Sequence, residues 1–200
     1  MKGSIIIVSF FILGVLCGNY ELLPVWILES DYSLYALWLL MFCVGISVGS
    51  DKKALHSIRN IERGYMWLPV FTIIGTLAGS AISVFFINGY SVPDCLAVGS
   101  GFGYYSLSSI FITQYKGPEL GTIALVSNIC REIITLLFTP ALVYIFGKLA
   151  PISCGGATTM DTTLPVITKY SGKEMAVIAI FHGITVDFTV PFLVTFFATL

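Results

Sequence analysis

SCGGATTMDTTLPV, residues 153 to 166, decides how this chain is read. Two glycines, four threonines and Asp161 stand between long apolar runs. A charge near the middle of a bilayer costs ~2.5 to 3.5 kcal/mol on insertion scales, and glycine weakens a helix interior. Backbone that leaves the helix at membrane depth is tolerated only where protein buries it or water lines it. The segment therefore reads as a broken helix at a site. A second stretch of the same kind, AVGSGFGYYSLSS, covers Ala97 to Ser109 with three glycines and four serines. Each is followed by a long apolar helix, Leu120 to Phe146 and Glu174 to Thr199. Paired glycine-interrupted segments point to a transporter's substrate site. Close helix packing through small residues is the alternative; two such segments and an aspartate favour the site.

Composition sets the frame. The 200 residues are 56% hydrophobic and 10% charged, with a mean hydropathy of +0.92, well beyond an average soluble domain. An all-α, polytopic integral membrane protein is expected. Five cysteines, Cys17, Cys43, Cys95, Cys130 and Cys154, form no CxxC pair, so neither a disulfide framework, a metal site nor another cofactor is suggested. A net charge of -1 without a long basic run leaves nucleic acid no footprint. The N-terminal MKGSIIIVSFFILGVLCG has the lysine and short apolar core of a signal peptide, but no cleavage motif follows. A retained first span is expected.

Segments long enough for ~30 Å of hydrocarbon lie at about 4–18, 32–50, 66–88, 94–115, 119–147, 152–168 and 174–199. That is about seven membrane segments, two of them Gly-interrupted or re-entrant. Residues 1–31 make an N-terminal span and external loop, and 32–200 the rest of a single transporter domain. Lys52, Lys53, Arg59 and Arg63 share one loop, whereas Asn19 to Asp31 holds only acidic charges. The positive-inside rule puts the basic loop in the cytoplasm. Threading every segment as a crossing gives N-in, C-out and places Lys2, the basic loop, Lys116, Lys169 and Lys173 inside, with Lys148 outside.

On the helix after Gly117-Pro118, the run SNICRE places Asn128, Arg131 and Glu132 within one polar sector at 3.6 residues per turn. Adjacent helical residues face each other poorly, so Arg131 and Glu132 are each expected to find partners elsewhere. Asp161 is the candidate partner for Arg131, since intramembrane charges usually pair. The cluster holds more acid than base and would favour a cationic guest. A carboxylate there can alternate between a proton and an ammonium, which is the logic of a proton-coupled antiporter. In the broken segments Ser100, Tyr104, Ser106, Thr158 and Thr159 are candidate hydrogen-bonding groups, as are backbone N–H groups at a broken helix. FHGITVD brings His182 and Asp187, five residues apart and about 140° from each other on an ideal helix. His182 is a candidate proton relay or a packing residue.

In order and spacing, SGFGYYSLSSIFIT, KGPELGT, the RE pair before Pro140, CGGATTMDTTLPV and FHGITVDFTVP resemble the C-terminal two-thirds of the LysO-type lysine exporters, from about Leu34 onward. The resemblance implies export of L-lysine, and of close analogues such as thialysine, from the cytoplasm across the cell inner membrane. It implies that the acidic residues of the RE and TxMD motifs, here Glu132 and Asp161, serve transport; the charge argument makes protons the expected coupling ion. The usual exporter carries further membrane segments before the matching region, so a small companion membrane subunit or a homodimer is expected to complete it. Asp187 falls outside the recognised motif.

Other functions compete. An intramembrane aspartyl hydrolase using Asp161 and Asp187 is chemically sound, but it lacks a GxGD context and would idle Glu132 and Arg131; no enzyme is expected. A subunit whose specificity is held by a partner chain predicts that Asp161→Asn is harmless when the partner is present. An exporter of another cation or small amino acid is the runner-up, because the charge argument serves ornithine, arginine or Na⁺ equally.

Overall fold

In the computed structural model, the described residues are 63–87 and 89–200, with isolated positions at 13, 14, 16–20, 24, 35 and 39. The chain forms two units, Met1–Ile46 and Ser47–Leu200. In the first unit helical positions occur at 13, 14 and 16–19. The expected span 32–50 and the basic positions Lys52, Lys53 and Arg59 lie outside the described residues, as does most of 4–18.

The second unit is all helical among its described residues. A 3-10 turn, Arg63–Trp67, leads into α1, Leu68–Ser83. Then come α2, Val92–Gly99, and α3, Tyr105–Lys116, in place of one unbroken segment. Helix α4 is Pro118–Phe146, α5 is Ala150–Gly155, a 3-10 turn covers Gly156–Met160, α6 is Leu164–Ser171 and α7 is Met175–Ala198. Prolines stand in the first turn of α1, α2, α4, α5 and α6, where a missing N–H costs nothing. Ser91 and Asp94 cap α2 reciprocally. Helix α4 runs through Pro140 and α7 through Pro191.

Among the described residues three helical stretches are long and apolar enough to cross a bilayer: Gly64–Ser83, Pro118–Phe146 and Met175–Ala198. Phe188, Phe192 and Phe196 make an exposed stripe on α7, while Ala179, His182, Gly183, Val186, Asp187 and Val190 bury the other face. That division suits a helix with one side in lipid and one in protein.

The two glycine-broken segments double back. Lys116 Nζ at the end of α3 lies 3.2 Å from Asp94 at the start of α2, and Tyr90 donates a 2.7 Å hydrogen bond to Glu119. A straight helix would separate positions 94 and 116 by ~33 Å. The second segment closes in the same way, with Lys148 Nζ 2.9 Å from Glu174. Both are helical hairpins whose ends meet, so of the two forms left open for 94–115 and 152–168, crossing or re-entrant, the contacts fit the re-entrant one. The base of the second hairpin packs through Leu149, Ile152, Leu164 and Ile167 against Met175 and Ile178 of α7 and against Tyr65 and Leu68 at the start of α1. The first hairpin closes at the opposite end of α4.

Candidate functional site

The tips of the two hairpins meet halfway along α4. The first tip is Ser100 to Tyr104, where Phe102 takes φ 45° and Gly103 φ 94°; the second turns at Gly156, φ 62°. The Ala157 N–H donates to the Phe102 carbonyl at 2.9 Å. At Gly156 a Cβ would run into that same Phe102 carbonyl, so the backbones can approach only without a side chain there. Phe102 itself is fully buried in the left-handed region, an uncommon conformation for a non-glycine residue.

One turn of α4 clamps both tips. Asn128, 3% exposed, accepts from Gly103 N–H at 2.7 Å and donates to the carbonyls of Ala124 at 2.8 Å and Val98 at 3.3 Å. Arg131, three residues on, donates from Nε to Cys154 O at 2.7 Å and from Nη2 to Ser153 O at 3.0 Å and Thr76 Oγ1 at 3.3 Å. Its guanidinium also stands 5.8 Å from the Phe102 ring centre. The expected Arg131 and Asp161 ion pair is therefore corrected: Arg131 neutralises the carbonyl end of α5, the negative pole of a helix dipole. Glu132, beside it in sequence, is 1% exposed.

The remaining sequence candidates divide by what their side chains touch. Ser100 is fully buried and donates to Leu96 O at 2.6 Å. Thr158 donates to Gly155 O at 3.0 Å and lies 3.3 Å from Thr163 Oγ1. Thr159 Oγ1 is 2.8 Å from the carbonyls of Gly156 and Ala179 and 3.4 Å from His182 Nδ1. His182 is fully buried, with Nε2 2.9 Å from Thr72 Oγ1, so it ties α7 to α1 and to the second tip. Tyr104 and Ser106 are half-buried at the start of α3. Asp161 is exposed, and its carboxylate accepts from the neighbouring Thr162 N–H. It sits between the 3-10 turn and the N-terminus of α6.

The arrangement puts positive and negative helix poles at one level. Helices α2 and α5 end there, and α3 and α6 begin there. The positive pole of the α3 dipole suits a carboxylate, and an exposed aspartate suits an ammonium. A cavity of about 400 Å³ opens on the other flank, between α1, α2 and α4, lined by Gly75, Thr76, Gly79, Ser80, Gly99 and Ser127 among others. The acidic residues do not line it. Among the described residues no group of His, Cys, Asp and Glu is arranged to hold a metal.

Sequence reasoning left the role of Asp187 open and did not single out Thr72 and Thr76. Asp187 is 4% exposed on α7, and the charge of Asp161 acts on it. The available signal was Gly183, four residues before it on the same helix face: there α7 comes against the second tip, and a Cβ would lie 2.7 Å from the Met160 nitrogen.

The profile of the family described as Lysine exporter LysO matches residues 8–198. The match begins well before Leu34, the expected start of the resemblance. A protein of Haemophilus influenzae named "Putative lysine exporter" is 36% identical over 188 residues, 94% of this chain and 92% of its own length. "Lysine exporter LysO" of Escherichia coli K12 is 37% identical over 169 residues, 84% of this chain; the chain spans 56% of that relative. No solved structure matches it.

Proposed function

The chain belongs to the LysO lysine exporter family, and from that premise we propose that it is a membrane transporter carrying L-lysine, and analogues such as thialysine, out of the cytoplasm across the inner membrane by exchange for protons. The observation that carries this reading is the meeting of two broken hairpins at one level, with Asp161 open beside them. The cargo's ammonium meets Asp161. Its α-carboxylate meets the positive pole of the α3 dipole, beside Tyr104 and Ser106. Glu132, buried next to the Arg131 clamp, serves the proton exchange together with Asp161. Asn128, Arg131, Ser100, Thr158, Thr159 and His182 hold the two tips in register. No covalent chemistry is asked of any of them.

The experiment is lysine efflux from cells that lack their own exporter, loaded with a lysyl dipeptide and expressing wild type or Asp161→Asn. Wild type is expected to export. The variant, at equal membrane level, is expected to fall by about tenfold or more, the loss of a charge-assisted contact. Excess thialysine should compete; competition by ornithine or arginine as strong as by lysine would make the chain a general cation exporter. Efflux that appears only with a second membrane chain would assign the activity to a complex, and efflux equal to empty vector under both conditions would overturn the reading.

A further inference from the structure

Asp187 lies one turn beyond Gly183, and residues four apart share a helix face. At Gly183 a Cβ would stand 2.7 Å from the Met160 nitrogen and 2.9 Å from Thr159 Oγ1. Asp161 follows Met160 directly, so this backbone approach puts Asp187 and Asp161 on neighbouring turns, within range of each other's charge. Each carboxylate acts on the Tyr104 phenol at the start of α3. Asp187 is 4% exposed, and among the described residues it accepts no hydrogen bond and joins no ion pair.

Among the described residues nothing cationic on the elements packed against α7 balances it. Helix α1 has no titratable side chain. On α2 and α3, Asp94 and Lys116 are paired with each other at the far end. Lys169 of α6 is exposed over its neighbour Tyr170. His182 turns to Thr72, and Arg131 is committed to Ser153 and Cys154. A buried carboxylate in such surroundings is costly as a lone anion, and two carboxylates at one place share a single proton or a single cation.

We propose that Asp187 is a second carboxylate of the cargo site, gripping the side-chain ammonium together with Asp161 and holding a shared proton with it when cargo is absent. This rests on the lysine-export reading. No bond to the cargo forms: the ammonium arrives with its own protons, and the proton of the pair leaves to water.

The test uses inverted membrane vesicles containing the full chain, with an acid interior, taking up radiolabelled L-lysine. Asp187→Asn, at equal protein level, is expected to lower uptake by about tenfold or more, with Asp187→Glu restoring part of it. Wild-type uptake by Asp187→Asn overturns the proposal. Uptake by wild-type vesicles no greater than by empty ones overturns the lysine reading instead. The pair is then judged by dicyclohexylcarbodiimide, which modifies protonated carboxyls, with the adduct mapped by mass spectrometry. Asp187 should be modified near neutral pH. In Asp161→Asn the modification should disappear about one pH unit lower, because the like charge that favours the proton is gone. No modification of Asp187, or an unchanged pH profile, overturns the pairing.

Discussion

Arg131 shows how a buried charge can serve without an opposite charge. Its guanidinium reaches two carbonyls at the end of α5, Ser153 and Cys154, and hydrogen bonds to a charged group contribute ~1.5 to 3 kcal/mol each. Arg131→Met should therefore lower unfolding stability in detergent by about 3 kcal/mol or more. Because Arg131 shares no bond with Asp161, the effects of Arg131→Met and Asp161→Asn should add to within about 0.5 kcal/mol; a clearly smaller loss in the double variant would revive the ion pair. Gly156→Ala makes the complementary test, since its methyl would meet the Phe102 carbonyl. It should abolish efflux and lower the melting temperature, whereas Gly75→Ala, mid-helix with nothing within 4 Å, should change stability by no more than about 1 kcal/mol, towards greater stability. Residue spacing was enough to place Asn128, Arg131 and Glu132 in one sector. It could not choose the acceptor for Arg131, because every residue carries a carbonyl and only the fold decides which carbonyls are left open.

The hairpins are the element that the sequence half-reveals. Glycines at 99, 101, 103, 155 and 156 mark both breaks, as expected of residues that weaken helices. Direction was not legible, because a window of apolar residues has the same hydropathy whether the chain passes through or turns back. The contacts that decide it, Asp94 with Lys116 and Lys148 with Glu174, join residues more than 20 positions apart. Cysteines at 94 and 116, in a chain whose five native cysteines are serine, should be joined by a short bifunctional maleimide; in a straight segment, ~33 Å apart, they would stay unlinked. The base of the second hairpin should also be indifferent to ordinary pH. Lys148 holds the Glu174 carboxyl below its usual range, and Glu174 raises the ammonium. The lowered carboxyl contributes stability above its unfolded value near ~4.3, lost as pH falls through its folded value. The raised ammonium contributes below ~10.4, lost as pH rises through its own. Between these limits both charges persist, so Glu174→Gln should leave the pH profile of transport unchanged from about pH 5 to 9. A shifted profile would put a titrating group at the hairpin base.

At the scale of the molecule, the unit repeats one design in opposite senses: a hairpin and then a crossing helix, α2 and α3 before α4, α5 and α6 before α7. The hairpins enter from opposite ends of α4 and touch at Phe102 and Ala157. Such opposed repeats put a site at mid-depth with a route towards either side, which suits alternating access. The charge count could not have told this arrangement from a chain of simple crossings. With every segment crossing, Lys116 falls inside and Lys148 outside; with both hairpins returning, they exchange places while Lys169 and Lys173 stay inside, and the number of inside positive charges is the same. Hydropathy and the positive-inside rule thus agree with both threadings, and only the contacts between hairpin ends separate them. Single cysteines at 116, 148 and 173 in the cysteine-free chain decide the matter in intact cells. A membrane-impermeant maleimide should label position 116 from outside and leave 148 and 173 unlabelled until the membrane is opened. Labelling of 148 with protection of 116 would restore seven simple crossings, and with them a site open to one side of the membrane at a time by some means other than the two hairpin tips.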